Sequence, residues 1–388
     1  MMDVTDREDA YQVKTYKKMP LTIEWGQDVW VYTSDGERYL DLYGGHAVTI
    51  TGHCHPRVVA ALKAQAELLI FYSNIVYNGA RAAAAERLIA KAPPGLRRVF
   101  FVNSGAEANE NAIKIARRIT GRPGIISFQG SFHGRTIGAL SATGLGRYRE
   151  TAGPLVPHHY FAPFGDLEAV AELMNRSIAG VLLEPIQSMA GVRLAPPEFY
   201  RGLRQLCDEV HAVLIYDEVQ TGFGRTGDFF FAPRYEVIPD MITLAKGMAS
   251  GVPMGAVLLS EAVAERIGYG DLGSTFGGGP LAAAALRATI EVIEQEGLLE
   301  NVRRQSAYLR RRLSAMAGVR AVRGLGFLLG IEFTRPAITY QRRLLEHKIL
   351  TGLSSDPHVL RLLPPLTLQR AEIDYFLDAL ETIERENP

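Results

Sequence analysis

The chain has 388 residues, 47% hydrophobic and 22% charged, which is enough apolar material for two compact domains and argues against disorder. Lys+Arg and Asp+Glu both number 42, so no charge excess exists to gather the phosphates of nucleic acid or of a lipid surface. Any anion site has to be local. The two cysteines, Cys54 and Cys207, have neither metal nor redox spacing and make no disulfide framework, which fits a reducing cytoplasm. An acidic start (Asp3, Asp6, Glu8, Asp9) and the lack of an apolar run near ~20 residues are read as no export signal and no membrane anchor.

In chain order, Trp30-Val31-Tyr32 and Tyr39-Leu40-Asp41-Leu42, joined by the turn Ser34-Asp35-Gly36-Glu37, predict a hairpin. From there, short apolar runs alternate with helical stretches: Val99–Val102, Gly124–Phe128, Gly180–Leu183, Val213–Tyr216, Met241–Leu244 and Ala256–Leu259. This pattern predicts an α/β fold with a mostly parallel sheet covered on both faces, and ligands at the carboxyl ends of its strands. A single helical pattern from about Gly279 to Met316 follows, then strands at Gly330–Phe333 and Val359–Leu363 and a last helix from about Gln369. We expect an N-terminal segment (1–60) that joins a small α+β domain, a large domain (61–285) and a C-terminal small domain (286–388).

Several strand ends carry chemistry. Asn103-Ser104-Gly105-Ala106-Glu107-Ala108-Asn109 opens a helix after a strand. Its unpaired N–H groups and the Ser104 hydroxyl suit a phosphate, although Ser104 as a plain helix cap is the alternative. Ser131-Phe132-His133-Gly134-Arg135-Thr136 offers an aromatic face and an arginine fork for a carboxylate, with Phe132 as simple core the rival. Asp217-Glu218-Val219-Gln220 caps the strand Val213–Tyr216, and an acidic pair there is a solvated loop, a metal ligand or a catalytic acid. Of the eight lysines, Lys246 alone follows an apolar strand and sits between Ala245 and Gly247. A desolvated lysine is a nucleophile and base, whereas a lysine snorkelling from a strand end is the commoner case.

An amine and a carboxylate on two strand ends suit pyridoxal phosphate (PLP). The amine condenses with the aldehyde, and the acid keeps the pyridine nitrogen protonated so that the ring accepts electrons. A carboxylate ~4 Å from a pyridinium at an effective dielectric of ~20 contributes ~4 kcal/mol, enough to hold that proton at neutral pH. Gly273-Ser274-Thr275-Phe276-Gly277-Gly278-Gly279 offers a second phosphate grip, or only a loop. Gly222-Phe223-Gly224-Arg225-Thr226-Gly227 spells the dinucleotide fingerprint, but no helix opens after it. His53-Cys54-His55 mimics a metal clip, yet Pro56 and the lack of a partner cluster favour a turn, so no metal is expected.

Taken together, these segments resemble the class III PLP-dependent aminotransferases, and within them the acetylornithine/ornithine aminotransferase branch. The resemblance is carried by Asp41–Ala47, Gly52–Pro56, Asn103–Asn109, Phe132–Thr136, Glu184-Pro185-Ile186-Gln187, Asp217–Arg225, Leu244–Gly247, Ser274–Gly278 and Leu360-Arg361-Leu362. It implies the type I PLP fold with a seven-stranded large-domain sheet, and a homodimer with shared active sites. Lys246 is then the covalent lysine, Asp217 the partner of the ring nitrogen, and Phe132 and Val219 the ring's two neighbours. Gln220 touches the ring oxygen, Ser104, Gly105 and Ala106 hold phosphate, and His133, Glu184 and Ser274 complete the cofactor site. Thr275 serves the neighbouring subunit's phosphate. Tyr43, Arg135 and Arg361 bind substrate, the two arginines through carboxylates. The implied reaction is ping-pong transfer from an acetylornithine-like ω-amine to 2-oxoglutarate. An α-amino acid transaminase of alanine–glyoxylate type, or an ornithine/4-aminobutyrate type, is the alternative.

One departure bears on that choice. Where relatives carry Gly-Glu-Gly-Gly after Gln187, this chain has Ser188-Met189-Ala190-Gly191. Met189 cannot neutralise Arg361 as a glutamate there does. Gly279, where asparagine is frequent, is a milder one.

Overall fold

The computed structural model describes residues 3–386. Its largest sheet has seven strands, in spatial order Leu96–Val102, Gly255–Ser260, Met241–Leu244, Val213–Asp217, Ile178–Leu183, Gly124–Phe128 and His159–Ala162. All pair in parallel except Gly255–Ser260, which runs antiparallel to both neighbours. The central strands are buried at every position, which is why they read as unbroken apolar runs. The expected mostly parallel α/β sheet is present. The edge strand His159–Ala162 escaped sequence reading: it is short, carries His159 and Tyr160, and leaves half its residues partly exposed.

Helix Gly105–Thr120 turns Ala108, Ala112, Ile115, Ala116 and Ile119 onto this sheet, a 3.6-residue stripe, and stops at Gly121 with φ 69°. The N-terminal hairpin forms from Trp30–Thr33 and Arg38–Asp41, and its second strand pairs in parallel with Ile349–Leu350 of the carboxyl-terminal part. A further antiparallel sheet is built from Val319–Leu325, Leu328–Phe333, Val359–Leu362 and Gly352–Leu353.

The single helix expected from Gly279 to Met316 is instead two, Pro280–Gln295 and Leu298–Ser314. Gly297 lies between them at φ 60°, a left-handed conformation that ends the first helix. The apolar periodicity resumes at once after it, which hid the break. A Cβ at Gly297 would meet nothing within 4 Å, so only backbone strain opposes a side chain there. Gly297→Ala is therefore expected to destabilise the fold by about 1 kcal/mol. Urea unfolding measures this, and an unchanged midpoint at unchanged slope contradicts it.

Candidate active site

The carboxyl ends of five sheet strands meet at one cavity of about 270 Å³. Its walls include Gly105, Ala106, Phe132, His133, Arg135, Glu184, Asp217, Val219, Gln220 and Lys246. A parallel sheet directs the loops after its strands to one edge, so residues far apart in sequence converge there.

Asp217 is 4% exposed and terminates its strand. Its Oδ1 accepts from the Val219 N–H at 3.1 Å, while Oδ2 accepts from the Asn109 amide at 2.8 Å and lies 2.7 Å from His133 Nδ1. Asn109 is itself locked: its amide nitrogen also donates to the His133 carbonyl at 2.8 Å, and its oxygen accepts the Thr243 hydroxyl at 2.7 Å. A buried carboxylate is tolerable because it is satisfied in this way. Asn109 and Thr243 were missed as functional candidates. The available signal was their polarity, on the buried stripe of a helix and in the centre of an apolar strand.

Lys246 has φ 46°, a left-handed backbone that costs a non-glycine residue about 1–3 kcal/mol. Burial pushes its amine down to about 8; Asp217 and Glu184 oppose this and Arg361 adds to it. Glu184 is pushed up to about 7, first by burial, and accepts the Phe132 N–H at 2.8 Å. Thus Glu184 fixes the backbone that presents Phe132.

At the helix start, Ser104 accepts the Glu107 N–H at 3.2 Å and so does cap the helix. The N–H groups of Gly105 and Ala106 belong to the first turn and have no intrahelical acceptor. A Cβ on Gly105 would lie 3.0 Å from Val219 Cγ2, closing the cavity there.

Five of the sequence candidates, Ser104, Tyr43, Ser274, Thr275 and Arg361, do not line this cavity. Ser274 accepts from Asn103 Nδ2 and from the Gly277 N–H, while Thr275 is exposed. Arg361, 1% exposed, donates from Nη2 to the Tyr43 hydroxyl at 2.9 Å, from Nη1 to the Ser188 hydroxyl at 2.9 Å and from Nε to the Leu353 carbonyl at 2.7 Å. Its partners among the described residues are all neutral, and burial lowers its pKa. Met189 is half-buried, with its carbonyl held by Ser355. Arg135 is exposed and stacks on Tyr148, its guanidinium carbon 3.9 Å from the ring centroid.

The fingerprint-like segment 222–227 has a structural use. Buried Arg225 donates to the carbonyls of Phe327 and Pro364, and the Glu218 carboxylate accepts the N–H groups of Phe231 and Ala232. His53 Nε2 contacts Asp41 and His55 Nε2 contacts Glu296, so the two rings have separate partners.

The family described as "Aminotransferase class-III" matches residues 11–383. The chain belongs to the class-III aminotransferases. Among similar proteins, the acetylornithine aminotransferase of Methanopyrus kandleri is 45% identical over 383 residues, 98% of each chain. That of Methanocaldococcus jannaschii is 42% identical, with 97% of each chain covered. An ornithine aminotransferase structure from Toxoplasma gondii ME49 superposes with TM-score 0.91 at 30% identity, covering 98% of this chain and 95% of that one. An acetylornithine aminotransferase structure from Elizabethkingia anophelis gives 0.84 at 27%, with 97% of each covered.

This class-III enzyme is a PLP-dependent transaminase. The residues present fit that cofactor on three counts: free N–H groups at a helix start, a buried satisfied acid, and a lysine amine with depressed proton affinity. The buried Gln220 Oε1 and His133 Nε2 also lack partners within the described protein. Asn109→Ala removes one donor from Asp217 and is expected to weaken PLP retention about tenfold, the scale of one hydrogen bond to a charged group. Equilibrium dialysis reads this; retention equal to wild type denies Asn109 that part.

Proposed function

We propose that this transaminase takes the distal amine of an acylated diamino acid of the acetylornithine type and delivers it to 2-oxoglutarate in a ping-pong cycle. The observation that carries the chemistry is the amine of Lys246, lowered to about 8, sharing one cavity with the triply held Asp217. Whole-length similarity to proteins named acetylornithine aminotransferase supports the donor class.

When bound, PLP supplies an aldehyde that condenses with amines and a ring that accepts electrons. Lys246 would hold PLP through its amine, and that amine, when free, would serve as the base that moves a proton at the amine-bearing carbon of the donor. Asp217 would favour a proton at the ring nitrogen, and the His133 and Asn109 contacts keep its carboxylate turned inward. Phe132, Val219 and Gln220 would hold the ring, and Ser104, Gly105 and Ala106 would hold the phosphate. Arg135 and Arg361 receive substrate carboxylates, with Tyr43 orienting Arg361.

The same reading includes a homodimer with shared sites. Exposed Ile75, Tyr77 and Tyr269 border one groove, and Phe71 packs on the exposed Phe276 at 4.9 Å, apolar exposure that suits an interface. Thr275, beside Phe276, is also exposed, where it can reach the phosphate of a partner. Among the described residues no helix is long and apolar enough to cross a membrane, and a cytoplasmic enzyme is consistent with that.

A second reading, transamination of α-amino acids, is favoured by one observation: Arg361 has only neutral hydrogen-bond partners, so no carboxylate of the protein is hydrogen-bonded to it in place of a substrate's. Half-reactions with acetylornithine, ornithine, alanine and glutamate, followed by absorbance of the bound cofactor, separate the two. Discharge by α-amines alone rejects the first reading. Met189→Glu is expected to shift the ratio of rates towards distal-amine donors at least fivefold, about 1 kcal/mol for a partly buried ion pair; an unchanged ratio removes the argument from Arg361.

Because the Lys246 amine loses its proton near pH 8, PLP capture by apoprotein should accelerate about tenfold from pH 7 to 9 and then level off. A rise continuing to pH 10 contradicts the lowered affinity. Lys246→Ala should bind PLP without forming a borohydride-reducible link, read by mass spectrometry.

A further inference from the structure

Tyr148 is absent from every motif above, yet it stands between the arginines of the site. Its ring meets Phe132 edge-on, with centroids 5.5 Å apart and planes at 71°. The Arg135 guanidinium lies over the same ring at 3.9 Å and that of Arg147 at 4.7 Å, and Arg147 also donates to the Tyr148 hydroxyl at 2.9 Å. Among the described residues neither arginine has a carboxylate partner. Tyr148 also lies close enough to Tyr43 and Arg361 to act on both electrostatically.

Two exposed cations on one aromatic ring, beside a cavity wall, are costly to hold together unless something anionic visits them. Cation–π attraction holds Arg135 without consuming its hydrogen-bond donors, whereas Arg147 spends one donor on the Tyr148 hydroxyl and keeps the others. An incoming carboxylate therefore finds both guanidinium groups already oriented, with donors to spare.

We propose that Tyr148 is a specificity-determining residue that holds Arg135 and Arg147 as a paired receptor for the carboxylate of the amino donor, apart from the carboxylate received by Arg361. This rests on the transaminase reading and adds Arg147 to the substrate site. It predicts that changes at Tyr148 alter the binding of a carboxylate-bearing donor and leave kcat in place.

The test uses PLP-loaded enzyme and two probes. N-acetylnorvaline, which has the carboxylate but no reacting amine, is titrated by calorimetry, and steady-state rates are measured with acetylornithine and 2-oxoglutarate. Tyr148→Leu should weaken N-acetylnorvaline and raise the acetylornithine KM about 5- to 20-fold, within the range of cation–π strengths. The kcat should stay within about twofold of wild type. Tyr148→Phe, which keeps the ring, should lose less than Tyr148→Leu, and the exposed variant Arg147→Met should raise the acetylornithine KM about threefold even if the leucine variant folds poorly. A kcat that falls as far as the donor KM rises, or no change in Tyr148→Leu and Arg147→Met, overturns the inference. Wild-type enzyme that no amine discharges overturns the transaminase reading instead.

Discussion

A carboxylate buried to 4% exposure survives only if donors replace the water it lost, and at Asp217 those donors come from three different parts of the chain. Asn109 lies on the helix whose first turn lines the cavity, His133 on the loop that carries Phe132 and Arg135, and Val219 just beyond the strand end. Thr243, from the strand that leads to Lys246, locks Asn109. Satisfying one charge thus ties together the helix start, the aromatic wall and the lysine-bearing strand. The cavity keeps its shape because moving any of these segments would strand the acid.

The opposite solution is used for cations. Arg361 and Arg225 are among the largest fully buried side chains, and their hydrogen-bond acceptors are hydroxyls and carbonyls rather than carboxylates. Burial of Arg225 lowers its pKa to about 9, with Asp41 opposing the effect. Charged groups held by neutral dipoles keep their field unspent. For Arg225 the result is a tie between the turn before Leu328–Phe333 and the segment after Val359–Leu362. For Arg361 the same arrangement ties the strand Val359–Leu362 to Tyr43, Ser188 and Leu353.

Legibility followed burial. Strands such as Gly124–Phe128 and Val213–Asp217 announce themselves because both faces are covered, so every position is apolar. Lys246, Asp217 and the helix start at Ser104 stood out as polar groups attached to such strands. The edge strand His159–Ala162 did not, since only Ala162 of its four residues is buried. The break at Gly297 was masked by apolar periodicity that continues on both sides of a single left-handed residue. Arg147-Tyr148-Arg149 reads as a solvated surface turn, and nothing in its neighbours along the chain points to Phe132 or Arg135.

What residue order determined by itself was the fold class, the class-III membership and the chemical pair of lysine and acid, because these depend on residue type and local spacing. The tertiary structure alone decided which side chains hold the acid, Arg361 and Arg135 in place. Asn109, Thr243, Ser188 and Tyr148 act across more than a hundred residues or between separate loops, and hydrogen bonds and ring contacts at such separations exist only once the sheet has gathered its loops at one edge.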